Sequence, residues 1–175
     1  MFNLTNTDAK LANLNPRAEK HGEENALACD IKLEIECHST VLDHFDKSLR
    51  KLLYRKPALG EQEGLPFAGD DQLTALRLPS LANLKWVEDF PGYTLTFSAG
   101  LGASDLQVID DVELSNFTFE AVEGGSVLVT VRATCHPTPD QIGILSTLIQ
   151  ETVQITLEPP SRGGRGTGGA QDTMD

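Results

Sequence analysis

A chain of 175 residues, 39% of them apolar, can bury one sizeable core. That core fits a single domain of about 130–150 residues with flexible ends. The formal charge of −12 excludes wholesale attraction to nucleic acid or to an anionic membrane, although a local basic stripe can sit on an acidic protein. No run approaches a membrane span, the N-terminal region lacks the apolar core of a secretory signal, and the three cysteines follow no disulfide spacing. A cytoplasmic protein with reduced thiols is therefore expected.

Residues 1–25 are polar and show no sustained period, with Asn3, Asn6, Asn13, Asn15 and Pro16 among them. They read as an arm that docks without building the core. From Leu27 to Cys37 the pattern alternates strictly: Leu27, Cys29, Ile31, Leu33, Ile35 and Cys37 on one face, Asp30, Lys32, Glu34 and Glu36 on the other. This is a strand with one buried and one wet face. A helix is predicted next, capped by Thr40 with Asp43 three residues on. Val41, Leu42, Phe45, Leu49, Leu52 and Leu53 form its apolar stripe, and Pro57 ends it near Tyr54–Lys56.

Residues 57–74 read as a long loop, and Ala75–Leu78 as a short edge strand. Leu84–Phe90 and Tyr93–Ala99 flank Pro91-Gly92, which suits a type II turn and predicts a hairpin. Leu106–Ile109 reads as a short strand. The strongest hairpin pairs Val112–Ala121 with Ser126–His136 across Glu123-Gly124-Gly125. Val112 and Leu114 change phase with Phe117 and Phe119, so a bulge is predicted near Ser115-Asn116. Thr138-Pro139-Asp140-Gln141 opens a second helix with a capping box, its stripe being Ile142, Leu145, Leu148 and Ile149. Val153, Ile155 and Leu157 alternate in a last strand. The sum is an α+β domain over 26–158: a mostly antiparallel sheet, open or closed into a barrel, with two helices. Residues 159–175 form a Gly-rich tail with an acidic tip.

Five groups of residues carry candidate chemistry. Lys47, Arg50, Lys51, Arg55 and Lys56 cluster around Tyr54. They suit phosphate contacts with one stacking ring, but more simply a solvated helix face whose cations favour the C-terminal end of the dipole. Trp86, Phe90, Tyr93 and Phe97 decorate the expected hairpin. Trp86 and Tyr93 could stack on bases, or all four could be core. Cys37-His38 and Cys135-His136 could supply zinc ligands, but strand neighbours point to opposite faces and both cysteines belong to apolar faces. No metal site and no cofactor are assigned. The acid pairs Asp70-Asp71, Glu88-Asp89 and Asp110-Asp111 lack supporting spacing, so no catalytic residue is named. In the tail, Arg162 and Arg165 suit weak nucleic-acid contact, while Asp172 and Asp175 suit a basic pocket on a partner.

Asn15-Pro16-Arg17-Ala18-Glu19-Lys20-His21-Gly22, with the block from Cys135-His136-Pro137 through Ile142-Gly143 to Leu157-Glu158-Pro159-Pro160, resembles proteins of tailed bacteriophages and prophages that lie among replication and recombination genes. The layout of core, Gly-rich linker and acidic end is also similar to single-stranded DNA-binding proteins. It departs from them in ending on Asp175 rather than an apolar residue and in its acidic core. The resemblance implies a non-enzymatic accessory protein of phage DNA metabolism, binding single-stranded DNA or the proteins on it. The alternative is an acidic module that binds a protein: a virion component or an inhibitor of a host DNA-binding enzyme. Exposed sheet edges also suit homo-oligomers.

Overall fold

The computed structural model describes residues 1–61, 72–98, 100 and 105–161. Strand β1 (Leu4–His21) runs into β2 (Glu24–His38) through a two-residue turn. Gly22 takes the first turn position with φ of 67°, where a side chain would strain the backbone. A turn of 3-10 helix (Ser39–His44) and the short helix α1 (Leu49–Leu53) follow. Then come β3 (Tyr54–Arg55) and β4 (Ala75–Leu76), which pair only with each other. The chain continues through β5 (Leu84–Trp86), β6 (Phe90–Ser98), β7 (Leu106–Val122), β8 (Ser126–Cys135), helix α2 (Pro139–Thr147) and β9 (Thr152–Glu158).

The main sheet is antiparallel and runs β5–β7–β6–β9–β1–β2–β8, with β8 pairing back onto β7. The circuit β7–β6–β9–β1–β2–β8 therefore returns on itself. Such closure needs strands that bend, and a bulge bends a strand by seating an extra residue. Several register breaks coincide with left-handed residues: Asn6 in β1, Gly92 in β6, Asp111 and Asn116 in β7. Asn, Asp and Gly are the residues that tolerate this conformation.

The strand faces turned inward form the core. Val127, Val129, Val131, Ala133 and Cys135 of β8 are fully buried, as are Ile31, Leu33 and Ile35 of β2. Phe45 enters this core from the segment after the 3-10 turn. Its ring centroid lies 4.7 Å from Phe119, 5.0 Å from Phe117 and 5.3 Å from Phe2. The second helix sits elsewhere along β7, where Gln141 Nε2 donates to the Val108 carbonyl at 3.0 Å.

The sheet-rich α+β character agrees with the sequence. The predicted bulge at Ser115-Asn116, the Glu123-Gly124-Gly125 turn and the Thr138 capping box are all present.

Four readings are corrected. Residues 1–25 are no arm: β1 bridges β9 and β2 and buries Leu4, Ala9 and Leu11, with Phe2 buried just before it. The long helix after Thr40 is broken in two. The His38 ring, not Thr40, accepts from the Thr40 amide, and Asp46 Oδ1 captures the Ser48 amide at 2.7 Å. That local side-chain bond competes with helix continuation; the second piece ends at Leu53 with Tyr54 as its C-cap, at the edge of the expected end. Pro91-Gly92 makes no hairpin turn: it is a bulge inside β6, while β5 pairs with β7 instead. Leu106–Ile109 is the start of β7, not a separate strand.

Candidate functional site

The basic cluster does not survive as one surface. Arg50 is 13% exposed, donates through Nε to Ser39 Oγ at 3.1 Å and lies 3.6 Å from Asp43. Arg55 makes a two-pronged ion pair with Glu61, at 2.8 and 3.3 Å. Lys47, Lys51 and Lys56 are exposed and make no ion pair among the described residues. Lys47 lies outside any helix, so it shares no helical face with Lys51.

The stacking rings are largely taken into the core. Tyr54 is wholly buried and its hydroxyl donates to the Ser126 carbonyl. Tyr93 is buried and its hydroxyl donates to the Phe2 carbonyl at 2.7 Å. Burial raises both phenol pKa values. Neither ring has a face for a base. Trp86 is half-buried, packed against Phe45 at 5.7 Å and Phe119 at 6.4 Å. Arg162, Arg165, Asp172 and Asp175 lie outside the described residues, as do Asp70 and Asp71.

The cysteines are structural. Cys29 and Cys135 face each other across the β2–β8 ladder. All three thiols are free, and burial raises their pKa values, Cys37 to about 11 and Cys135 to about 12. Cys37 pairs with Val127 and Cys135 with Cys29 at opposite ends of the β2–β8 ladder, so Cys37-His38 and Cys135-His136 do not come together as one Cys-His site. Asp110 accepts from the Thr94 hydroxyl at 2.9 Å beside the β7 bulge. An open groove of about 700 Å³ near the end of β9 has Glu158 as its one ionisable lining residue among the described residues.

A different group comes together at the β1–β2 turn. After the bulge near Asn13, the outward residues of β1 are Asn13, Asn15, Arg17, Glu19 and His21. Opposite Arg17 and Glu19 on β2 stand Ala28 and Ala26. Small residues on the middle strand let long side chains meet across it, over about 10 Å from β1 to β8. His136, the first residue past β8, reaches over from that far side.

Glu19 Oε2 lies 3.3 Å from His136 Nε2 and 3.8 Å from His21 Nε2. The imidazoles meet edge to face with centroids 6.0 Å apart. Glu19 Oε1 accepts from Arg17 Nε at 3.1 Å and Nη2 at 2.9 Å. Arg17 Nη1 lies 2.6 Å from Asp30, whose other oxygen accepts from the Thr134 hydroxyl at 2.8 Å. The Glu19 carboxyl is held below its ordinary pKa, first by the His136 contact and then by Arg17. Burial pushes Asp30 the other way, but its bonds from Arg17 and Thr134 outweigh burial and lower it.

Residue spacing alone carried a faint signal for this site. Glu19 and His21 are two apart, and on a strand that places both on one face. His136 could come to them only through the pairing of β2 with β8. No protein-family model, curated protein or solved structure matches the chain.

Proposed function

We propose that the chain is a non-enzymatic binding protein of phage DNA metabolism that docks a basic protein surface. One observation carries this reading: the outer face shared by β2, β8 and β7 is dominated by carboxylates. Across the ladders, Glu36, Leu128 and Glu120 make one row, and Asp30, Thr134 and Glu113 another. Glu34 adds to the face, which carries Lys32 and Arg132 as its own cations, and Arg17 of β1 reaches over to pair with Asp30. Such a face complements a basic patch and steers its approach, in keeping with the charge of −12. The closed circuit of pairings supports reading the sheet as a barrel-like scaffold that holds the face rigid. The phage setting rests on the resemblance at 15–22 and 135–160. Among the described residues no helix is long and apolar enough to cross a membrane.

A second reading keeps single-stranded nucleic acid. Its specific support is Lys47, Lys51 and Lys56, exposed on one short segment without ion pairs among the described residues.

One experiment separates the two. The full chain is mixed at low and high salt with purified basic nucleases and polymerases, and separately with labelled oligo-dT. The protein-docking reading expects a salt-sensitive complex with a basic protein, weakened about tenfold or more by Glu36→Lys with Glu120→Lys, and no oligonucleotide shift. A shift of oligo-dT at low micromolar protein, steeply salt-dependent and lost on replacing the three lysines with Ala, moves the assignment to nucleic acid.

A further inference from the structure

We infer that Glu19, His21 and His136 form a binding site for a divalent transition-metal ion, zinc being the best fit. The donor set is two imidazoles and a carboxylate, the nitrogen and oxygen ligands that zinc takes in open, three-residue sites. With bonds of about 2.0–2.1 Å in a tetrahedron, neighbouring donors sit roughly 3.3–3.4 Å apart. Here the two donor separations to Glu19 Oε2 are 3.3 and 3.8 Å, and all three donor atoms fall within 4.8 Å of one another. Bringing the two imidazole nitrogens slightly together completes the geometry. Side-chain rotation suffices, because His21 and His136 are 63% and 47% exposed.

The surroundings orient the carboxylate ligand as metal sites require. A ligating carboxylate is normally fixed by a hydrogen bond to its other oxygen. Arg17 does this through two bonds to Glu19 Oε1, leaving Oε2 toward the imidazoles. Arg17 is held in turn by Asp30, and Asp30 by Thr134. The guanidinium charge does not repel a cation unopposed: Glu19 and Asp30 both face it, and Glu24 stands opposite His21 in the ladder. Adjacent Lys20 alternates to the other face of β1. The alanines at 26 and 28 keep the middle strand clear. A bound ion would tie the β1–β2 turn to the end of β8, two strands away.

The test uses the full chain, stripped of metal, with Zn²⁺ alone as the titrant in calorimetry and in competition with a chromophoric chelator. Co²⁺ serves as the spectroscopic probe. We expect one ion per chain and the visible bands of a tetrahedral or five-coordinate cobalt site. His136→Ala, His21→Ala and Glu19→Gln should each weaken binding about tenfold or more, and Arg17→Ala by about 10–100-fold as an orienting residue. His38→Ala and His44→Ala should bind as the unaltered chain does, which separates this cluster from general histidine affinity. Circular dichroism checks that each variant is folded. Saturation in the high micromolar range or weaker, an octahedral cobalt spectrum, or equal binding by folded His21→Ala/His136→Ala would overturn the assignment.

Discussion

Between Phe45 and Tyr93, aromatic rings that look suited to ligands are absorbed into packing, and Arg50 and Arg55 into ion pairs. At the β1–β2 turn, two imidazoles and a carboxylate are left on the surface and aimed at one another. Both regions contain residues with binding chemistry. The difference is burial. Tyr54, Tyr93 and Phe117 are enclosed by the circuit of strands, whereas Glu19, His21 and His136 sit on its outer side. A residue's type states what it can do; the strand face it occupies decides whether a partner can reach it.

That contrast is sharpest in stability. Phe117 is fully buried and packs against Phe2, Phe45 and Phe90, with centroids 5.0–5.4 Å away. Phe117→Ala should cost about 3–5 kcal/mol through lost transfer energy and the cavity left behind. His136→Ala should shift stability by less than about 0.5 kcal/mol, as exposed sites usually do. Urea unfolding of both variants without metal checks the pair. Similar losses for both would erase the distinction between the two regions. Next in size is Tyr93→Phe, which leaves the Phe2 carbonyl without its donor in a buried setting. The expected loss is about 1–3 kcal/mol, with no change in any oligonucleotide shift. A Tyr93→Phe variant of full stability but weakened oligonucleotide binding would return Tyr93 to the surface.

The same contrast explains what could be read from the residues. The β7–β8 hairpin was legible down to its bulge because β8 keeps one parity from Val127 to Cys135. The phase change between Leu114 and Phe117 also stood out against it. Strand β1 was not legible because its parity changes twice. Leu4 is buried at an even position, Ala9 and Leu11 at odd ones after the Asn6 bulge, and Leu14 is again at an even one after the break near Asn13. Averaged over a window, that pattern reads as no pattern, and the polar outer residues add to the impression of an arm. The metal-ligand cluster was hidden for the same reason, since two of its three residues, Glu19 and His21, lie on the strand that was missed. The broken helix after β2 had a local cause instead. Val41, Leu42, Leu49 and Leu53 of its stripe are buried and Leu52 is exposed, while Phe45 packs into the aromatic core and Asp46 bonds Ser48.

The smallest effect concerns how the outer site is held before any ion arrives. Asp30 is the inner anchor of the Arg17–Glu19 arrangement, and its pKa is lowered in the folded chain despite partial burial. A carboxyl with a depressed folded pKa adds stability that is fully present above its unfolded value, near 3.9. That contribution is lost as pH falls through the folded value. Unfolding free energy should therefore decline between about pH 5 and the acid range, and part of that slope should vanish in Asp30→Asn. Above pH 6 the variant should be less stable than the parent, and the gap should close on acidification. Because Arg17 would keep Glu19 but lose Asp30, the variant also tests whether the anchor matters to the surface cluster. If Asp30→Asn shows the parent's full acid slope, the Thr134–Asp30–Arg17 chain is not coupled to folding. The turn region would then be even more loosely held than the contrast with Phe45 requires.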